Sequence, residues 1–181
     1  MVPHGIDDAT GYAIGDVAPW PSWGAAASGA LEFLHEHVGW DLWMVTRVSD
    51  DLQIVLCSCP GGSVRPGATL PWEESFCRAM TEGRAPRVAT VTAAVPAYAA
   101  LTKGLGRDVA AYIGVPLVTA DRQLWGTLCG VAFRAKPLSA TRDLRLVETI
   151  GRLLSTLLAT GLEPPQVPPP RGRPPIPPRR R

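Results

Sequence analysis

The sequence predicts an α+β fold, a central antiparallel sheet with helices gathered on one face and irregular loops on the other. Three observations predict it. Apolar patterns follow the order helix, two-strand hairpin, loop with short helix, short strand, excursion, two central strands, long helix. Two runs, Tyr112–Val118 (YIGVPLV) and Leu124–Phe133 (LWGTLCGVAF), are apolar on both faces, which places them at the centre of a sheet. The last helix carries two apolar stripes, where one suffices to pack on a sheet.

Each element has its own signal. Residues 1–24 hold Pro3, Gly5, Gly11, Gly15, Pro19, Pro21 and Gly24 and read as a loose arm that Trp20 and Trp23 can pin to the domain. Ala25–Val38 is a helix, with Ala27, Leu31, Leu34 and Val38 on one face and Gly39 just beyond its end. Trp40–Val48 alternates as a half-buried strand, Ser49-Asp50-Asp51 turns, and Leu52–Cys59 returns as a hairpin. Pro60–Pro71 is a Gly/Pro-rich loop. Trp72–Glu82 is a helix with Glu73 and Glu74 in its first turn, where the helix dipole favours acids. Arg87–Val91 is a short strand, and Ala93–Gly106 a loop with one or two helical turns. The central strands join through a turn at Asp121-Arg122. Ser139–Leu162 is the final helix, capped by Ser139 or Thr141. Its stripes are Leu144, Val147, Leu154, Leu158 and Leu146, Ile150, Leu153, Leu157. The second stripe packs on another helix, either the first helix or the same helix of a second chain.

Composition narrows the class. The 181 residues are 46% hydrophobic and 19% charged, which suits one globular domain, about 25–162. Net charge is +2, yet Pro164–Arg181 holds five Arg and no acid, so the rest is acidic overall and a poor non-specific nucleic-acid binder. Nine of the 19 prolines lie in that tail (163–181), which is expected to be polyproline II or disordered. The tail matches the spacing of polyproline ligands, so a partner protein can dock on it. No run of 18 apolar residues exists to span a membrane, and the N-terminus lacks a signal-peptide pattern. Four Cys without a CxxC point to reduced thiols and a cytoplasmic setting. His4, His35 and His37 are the only histidines, and no metal-ligand spacing is present.

Four segments carry a resemblance: Trp72-Glu73-Glu74-Ser75-Phe76-Cys77, Val95-Pro96-Ala97-Tyr98-Ala99, Ala111-Tyr112-Ile113-Gly114-Val115-Pro116-Leu117 and Leu124-Trp125-Gly126-Thr127-Leu128-Cys129. In this order they resemble the GAF domains of bacterial signalling proteins, over about Leu31–Leu158. The resemblance implies a GAF/PAS-like sheet with N- and C-terminal helices on one face and ligand loops on the other. It also implies a small-molecule sensory or regulatory role in signal transduction and a homodimer formed through the terminal helices. Departures narrow the ligand without naming a cofactor. The acid that often follows GTLC is missing, since Gly130-Val131-Ala132-Phe133 comes next. The cyclic-nucleotide signature is absent, and no Cys lies between Cys77 and Cys129 to attach a bilin. No output domain is expected beside the segments, only the Pro/Arg-rich tail.

On that resemblance the ligand-binding candidates are Trp72, Cys77, Tyr98 and Tyr112, with Trp43 added by strand alternation. Cys77 borders the implied pocket near Arg78 and Arg84, cations that lower a thiol pKa. Two alternatives remain. One is a thiol enzyme similar to the free methionine-R-sulfoxide reductases, using Cys77 with Cys129 or Cys57, although that family's cysteine arrangement is not recognised here. The other is a ligand-free dimerisation scaffold whose pocket is filled by its own aromatics.

Overall fold

The computed structural model describes residues 17–101, 104–162 and 166, so the expectations for residues 1–16 and for most of the tail lie outside the described residues. The elements are α1 (Trp23–Val38), β1 (Leu42–Ser49), β2 (Leu52–Cys59), β3 (Thr69–Pro71), α2 (Phe76–Thr81), β4 (Val88–Ala89), α3 (Pro96–Ala99), β5 (Ala111–Val118), β6 (Leu124–Ala132) and α4 (Asp143–Ala159). One six-stranded antiparallel sheet runs in the order β3-β2-β1-β6-β5-β4. The α+β expectation holds; of the two apolar strands expected at the centre, β6 lies there beside β1, while β5 lies one place further out, between β6 and the two-residue edge strand β4.

Two cores sandwich the sheet. On one face α1 and α4 pack over Trp43, Val45, Ile113, Val115, Leu117 and Leu128. On the other, α2, α3 and the loops cover Leu42, Met44, Val55, Tyr112, Cys129 and Val131. Alternation along β1, β5 and β6 divides these residues, since successive side chains in a strand point to opposite faces. Two bulges interrupt that alternation. At the first, Val45 pairs with Cys57 and Thr46 with Val55, leaving Leu56 as the extra residue. At the second, Leu117 pairs with Gly126 and Val118 with Leu124, which turns Trp125 toward the helix-side core.

Local chemistry explains where the elements begin and end. Helix α1 starts two residues earlier than its apolar pattern predicts, because the Ser22 side chain accepts from the Ala25 N–H. Its last carbonyls are closed by Gly39 at φ 71°. Asp50 and Asp51 both have positive φ, 49° and 60°, the backbone of a tight two-residue hairpin. The predicted helix 72–82 divides into a 3₁₀ turn, Trp72–Glu74, and α2, because Ser75 caps the second piece by accepting from the Arg78 N–H. Before α4, Leu138–Arg142 forms a 3₁₀ turn, so neither Ser139 nor Thr141 acts as a side-chain cap. Within the loop expected at 60–71, Thr69–Pro71 adds an edge strand to β2.

Helix α4 buries Val147, Ile150, Gly151 and Leu154, while Leu146 and Leu153 remain exposed. Gly151 allows the close approach: a Cβ there would lie 2.6 Å from Val115 Cγ2. Trp23 ties the two long helices together. Its indole is fully buried, its Nε1 donates to the Leu154 carbonyl at 2.9 Å, and its ring meets Trp125 edge-on at 4.9 Å.

Candidate functional site

The loop-side core contains a polar centre built around one sulfur. Ser75 starts α2 so that Cys77, in its first turn, points down onto the sheet. Thr46 and Thr127 are direct cross-strand partners on β1 and β6, and their hydroxyls meet at 2.7 Å. Gln53 reaches across from β2. Three donors converge on Cys77 Sγ: Gln53 Nε2 at 3.0 Å, Tyr112 OH at 3.2 Å and Thr127 Oγ1 at 3.2 Å. The Cys129 thiol supplies a fourth. Every member of this centre is buried.

That arrangement suits an anion. A neutral thiol is a weak acceptor, whereas hydrogen bonds to the charged form lower a pKa. The Cys129 hydrogen bond is the largest influence; burial opposes it, and Thr127, Tyr112 and Gln53 add to it, bringing Cys77 down to about 7. Cys129 moves the opposite way, well above the usual thiol range, because it holds the shared proton beside Cys77. Burial first, then the negative charge of Cys77, push the Tyr98 and Tyr112 phenols up, so both remain protonated donors.

Tyr112 reaches the sulfur because of a glycine. Two residues along β5 on the same face, Gly114 leaves the space where the Tyr112 hydroxyl lies, and a Cβ there would overlap it. Gly114→Ala is therefore expected to displace Tyr112, raise the Cys77 pKa above about 7 and cost about 1–3 kcal/mol of stability. Thiolate ultraviolet absorbance followed against pH measures the shift; an unchanged midpoint contradicts this role for Tyr112. Above the sulfur, Phe76, Tyr98 and Tyr112 form an aromatic cluster with ring separations of 5.0, 5.5 and 5.2 Å. Tyr98 is fixed by donating to the Pro86 carbonyl at 2.6 Å.

Two clefts flank this centre and share no lining residue. One, of about 310 Å³, opens over Tyr98 between Thr92, Leu101, Arg107, Val109 and Phe133. The other, of about 440 Å³, is charged, lined by Asp51, Trp72, Glu73, Arg78 and Glu82. The structure thus brings together Cys77, Tyr112 and Cys129, with the Tyr98 ring tilted against Tyr112, and places Trp72 in the separate charged cleft. Arg78 and Arg84 both bond Glu82 on the surface and do not touch Cys77.

Two candidates lie on the opposite face. Trp43 is fully buried in the helix-side core beside Trp40, and its ring occupies the space that Gly130 leaves open. The alternation that pointed Trp43 toward the loops had the correct period and the wrong phase. Cys57 is turned away from Cys77 by the Leu56 bulge and packs against the helix side, where burial pushes its thiol up to about 11. Cys59 is on that side too and is also raised, by burial and then by Glu32 and Glu36. Sequence reasoning missed Gln53, Thr46 and Thr127. Their signal was polarity at inward positions of central strands, where an unpaired polar group is costly and so points to a network.

The family model for the GAF domain matches residues 24–158. No curated protein shows a significant match. Among solved structures, a far-red cyanobacteriochrome photoreceptor aligns at TM-score 0.60 and 13% identity, over 79% of this chain and 88% of that one. The free methionine-R-sulfoxide reductase of Neisseria meningitidis, solved with its substrate, aligns at TM-score 0.59 and 20% identity, over 78% and 81%. The GAF domain of a two-component sensor histidine kinase from Bacillus halodurans aligns at 0.55 and 16%, over 74% and 90%. At these identities the likeness is one of fold, and the family match adds membership: this chain belongs to the GAF domain family.

Proposed function

We propose that this GAF domain is a sensory or regulatory module that binds a small molecule in the Tyr98 cleft and transmits its occupancy through the terminal helices. The observation that carries the reading is the cleft. It lies on the loop-covered face, its volume of about 310 Å³ is within the range of small-molecule sites, and its floor is aromatic. Thr92 and Arg107 supply polar contacts at its walls, and the ligand is expected to be small, partly apolar and carrying an acceptor. The exposed Leu146 and Leu153, one heptad apart on α4, support a homodimer packed along that helix. The Pro/Arg-rich tail is the natural handle for a partner protein.

One observation favours a second reading, a thiol reductase acting on methionine sulfoxide: the polarised Cys77 beside Cys129. Against it, both sulfurs are buried and neither lines either cleft.

Native mass spectrometry of the full chain tests the first reading. The expected result is a dimer that carries, or takes up from a metabolite extract, one discrete small mass per chain. Tyr98→Ala is expected to lose that mass at least tenfold more readily. A chain that takes up nothing favours the scaffold reading. Turnover of free methionine sulfoxide that Cys77→Ser abolishes establishes the enzyme instead.

A further inference from the structure

We infer that Cys77 and Cys129 are an oxidisable pair, which a hydroperoxide converts into an intramolecular disulfide at the base of the loop-side core. The inference requires no ligand and stands apart from the cleft reading.

Geometry carries it. The two sulfurs border one buried centre, one on α2 and the other on β6: Thr127, two residues from Cys129 on the same strand face, and Tyr112, whose hydroxyl lies over Gly114 opposite Cys129, both donate to Cys77 Sγ at 3.2 Å. Gln53, Tyr112 and Thr127 all place donors on Cys77, and of the three only Thr127 also reaches Cys129, so one sulfur is prepared as the nucleophile and the other holds the proton. A structural thiol needs no such set, since buried cysteine packs as a small apolar group. The sequence places the other two cysteines on the far side of the sheet, where they cannot compete for the oxidised sulfur. The cover over the sulfurs is two short helices, the six residues of α2 and the four of α3, so an oxidant reaches them by local opening of that cover. A molecule as small as hydrogen peroxide needs only a brief opening.

The chemistry balances in two steps. The Cys77 thiolate attacks one peroxide oxygen; an S–O bond forms, the O–O bond breaks, and the departing oxygen takes the proton that Cys77 released. Cys77 is now a sulfenic acid, and the peroxide has become an alcohol, or water. The Cys129 sulfur then attacks Cys77; an S–S bond forms, the S–O bond breaks, and the hydroxyl leaves as water with the Cys129 proton. Two thiols have lost two electrons and two protons, and the hydroperoxide has gained them.

The test uses the full chain, reduced and then exposed to hydrogen peroxide near pH 7. Free thiols are blocked under denaturing conditions and the peptides mapped by mass spectrometry. The expected result is a linked Cys77–Cys129 peptide, lighter by two hydrogens and released by a dithiol, with Cys57 and Cys59 still free. The Cys57→Ser/Cys59→Ser double variant is expected to form the same link at the same rate. Tyr112→Phe removes a donor without emptying the core and is expected to slow the reaction several-fold near neutral pH, with the loss recovered at higher pH. A merely structural Tyr112 would leave that pH dependence unmoved. Oxidation confined to Cys57 and Cys59, a link between chains, or sulfinic acid at Cys77 with Cys129 untouched overturns the inference.

Discussion

Trp23→Ala is expected to lower the unfolding free energy by about 3–5 kcal/mol, the cost of removing a large buried aromatic. The site cannot collapse easily, because the indole fills the junction of α1, α4 and the bulged Trp125. Chemical denaturation of the purified variant measures it. Trp23→Phe separates the contributions: it keeps one aromatic ring, loses the bond to the Leu154 carbonyl and leaves part of the indole's space empty, at about 1–3 kcal/mol. Phe33→Ala, on the exposed part of α1, is the comparison and is expected to cost far less in the monomer. Equal losses for the Ala and Phe variants of Trp23 would show that packing of the indole does not hold the terminal helices to the sheet.

The second large effect depends on pH. The Cys77 thiol falls from 9.0 to about 7 on folding, so between those values the unfolded chain holds a proton that the folded chain has released. Stability therefore rises with pH across this window, by on the order of 2 kcal/mol, and the gain is lost as pH falls through about 7. Above about pH 9 the sign reverses. Cys129, Tyr112 and Cys57 are raised by folding, so the unfolded chain gives up those protons first. Cys77→Ser removes the first effect and leaves the second. Unfolding titrations of both proteins from about pH 6 to pH 9 are expected to diverge steadily in favour of the wild type. A constant difference would mean that the Cys77 sulfur is a neutral thiol throughout.

Much of this molecule is legible in its sequence. Tyr112–Val118 and Leu124–Phe133 are apolar on both faces because they lie between two cores, and their place inside the sheet rather than at its edge follows from that. The family was readable from segments whose residues do identifiable work. Gly114 admits the Tyr112 hydroxyl, and Thr127 and Cys129 face Cys77 from one strand. Face assignment was harder. Period gives alternation but not phase, and the phase of β1 is fixed by Trp43 packing over Gly130, a contact between distant segments. Cys57 was misplaced for a related reason, since a bulge leaves no local mark in an apolar strand. Gln53 lay in view, but its purpose depends on Thr46, Cys77 and Thr127, which only the folded sheet brings together.

The bulge at Leu56 has a consequence for how this hairpin tolerates changes in length. On either side of it Gln53 and Val55 face the loops while Cys57 packs on the helix side. Deleting Leu56 restores strict alternation and leaves each of those residues on the face it already occupies. Deleting a regular neighbour of β2 does the opposite and inverts part of the strand. A relative one residue shorter at Leu56 can therefore preserve the buried sulfur centre intact, whereas the same gap a few positions earlier would turn Gln53 away from it.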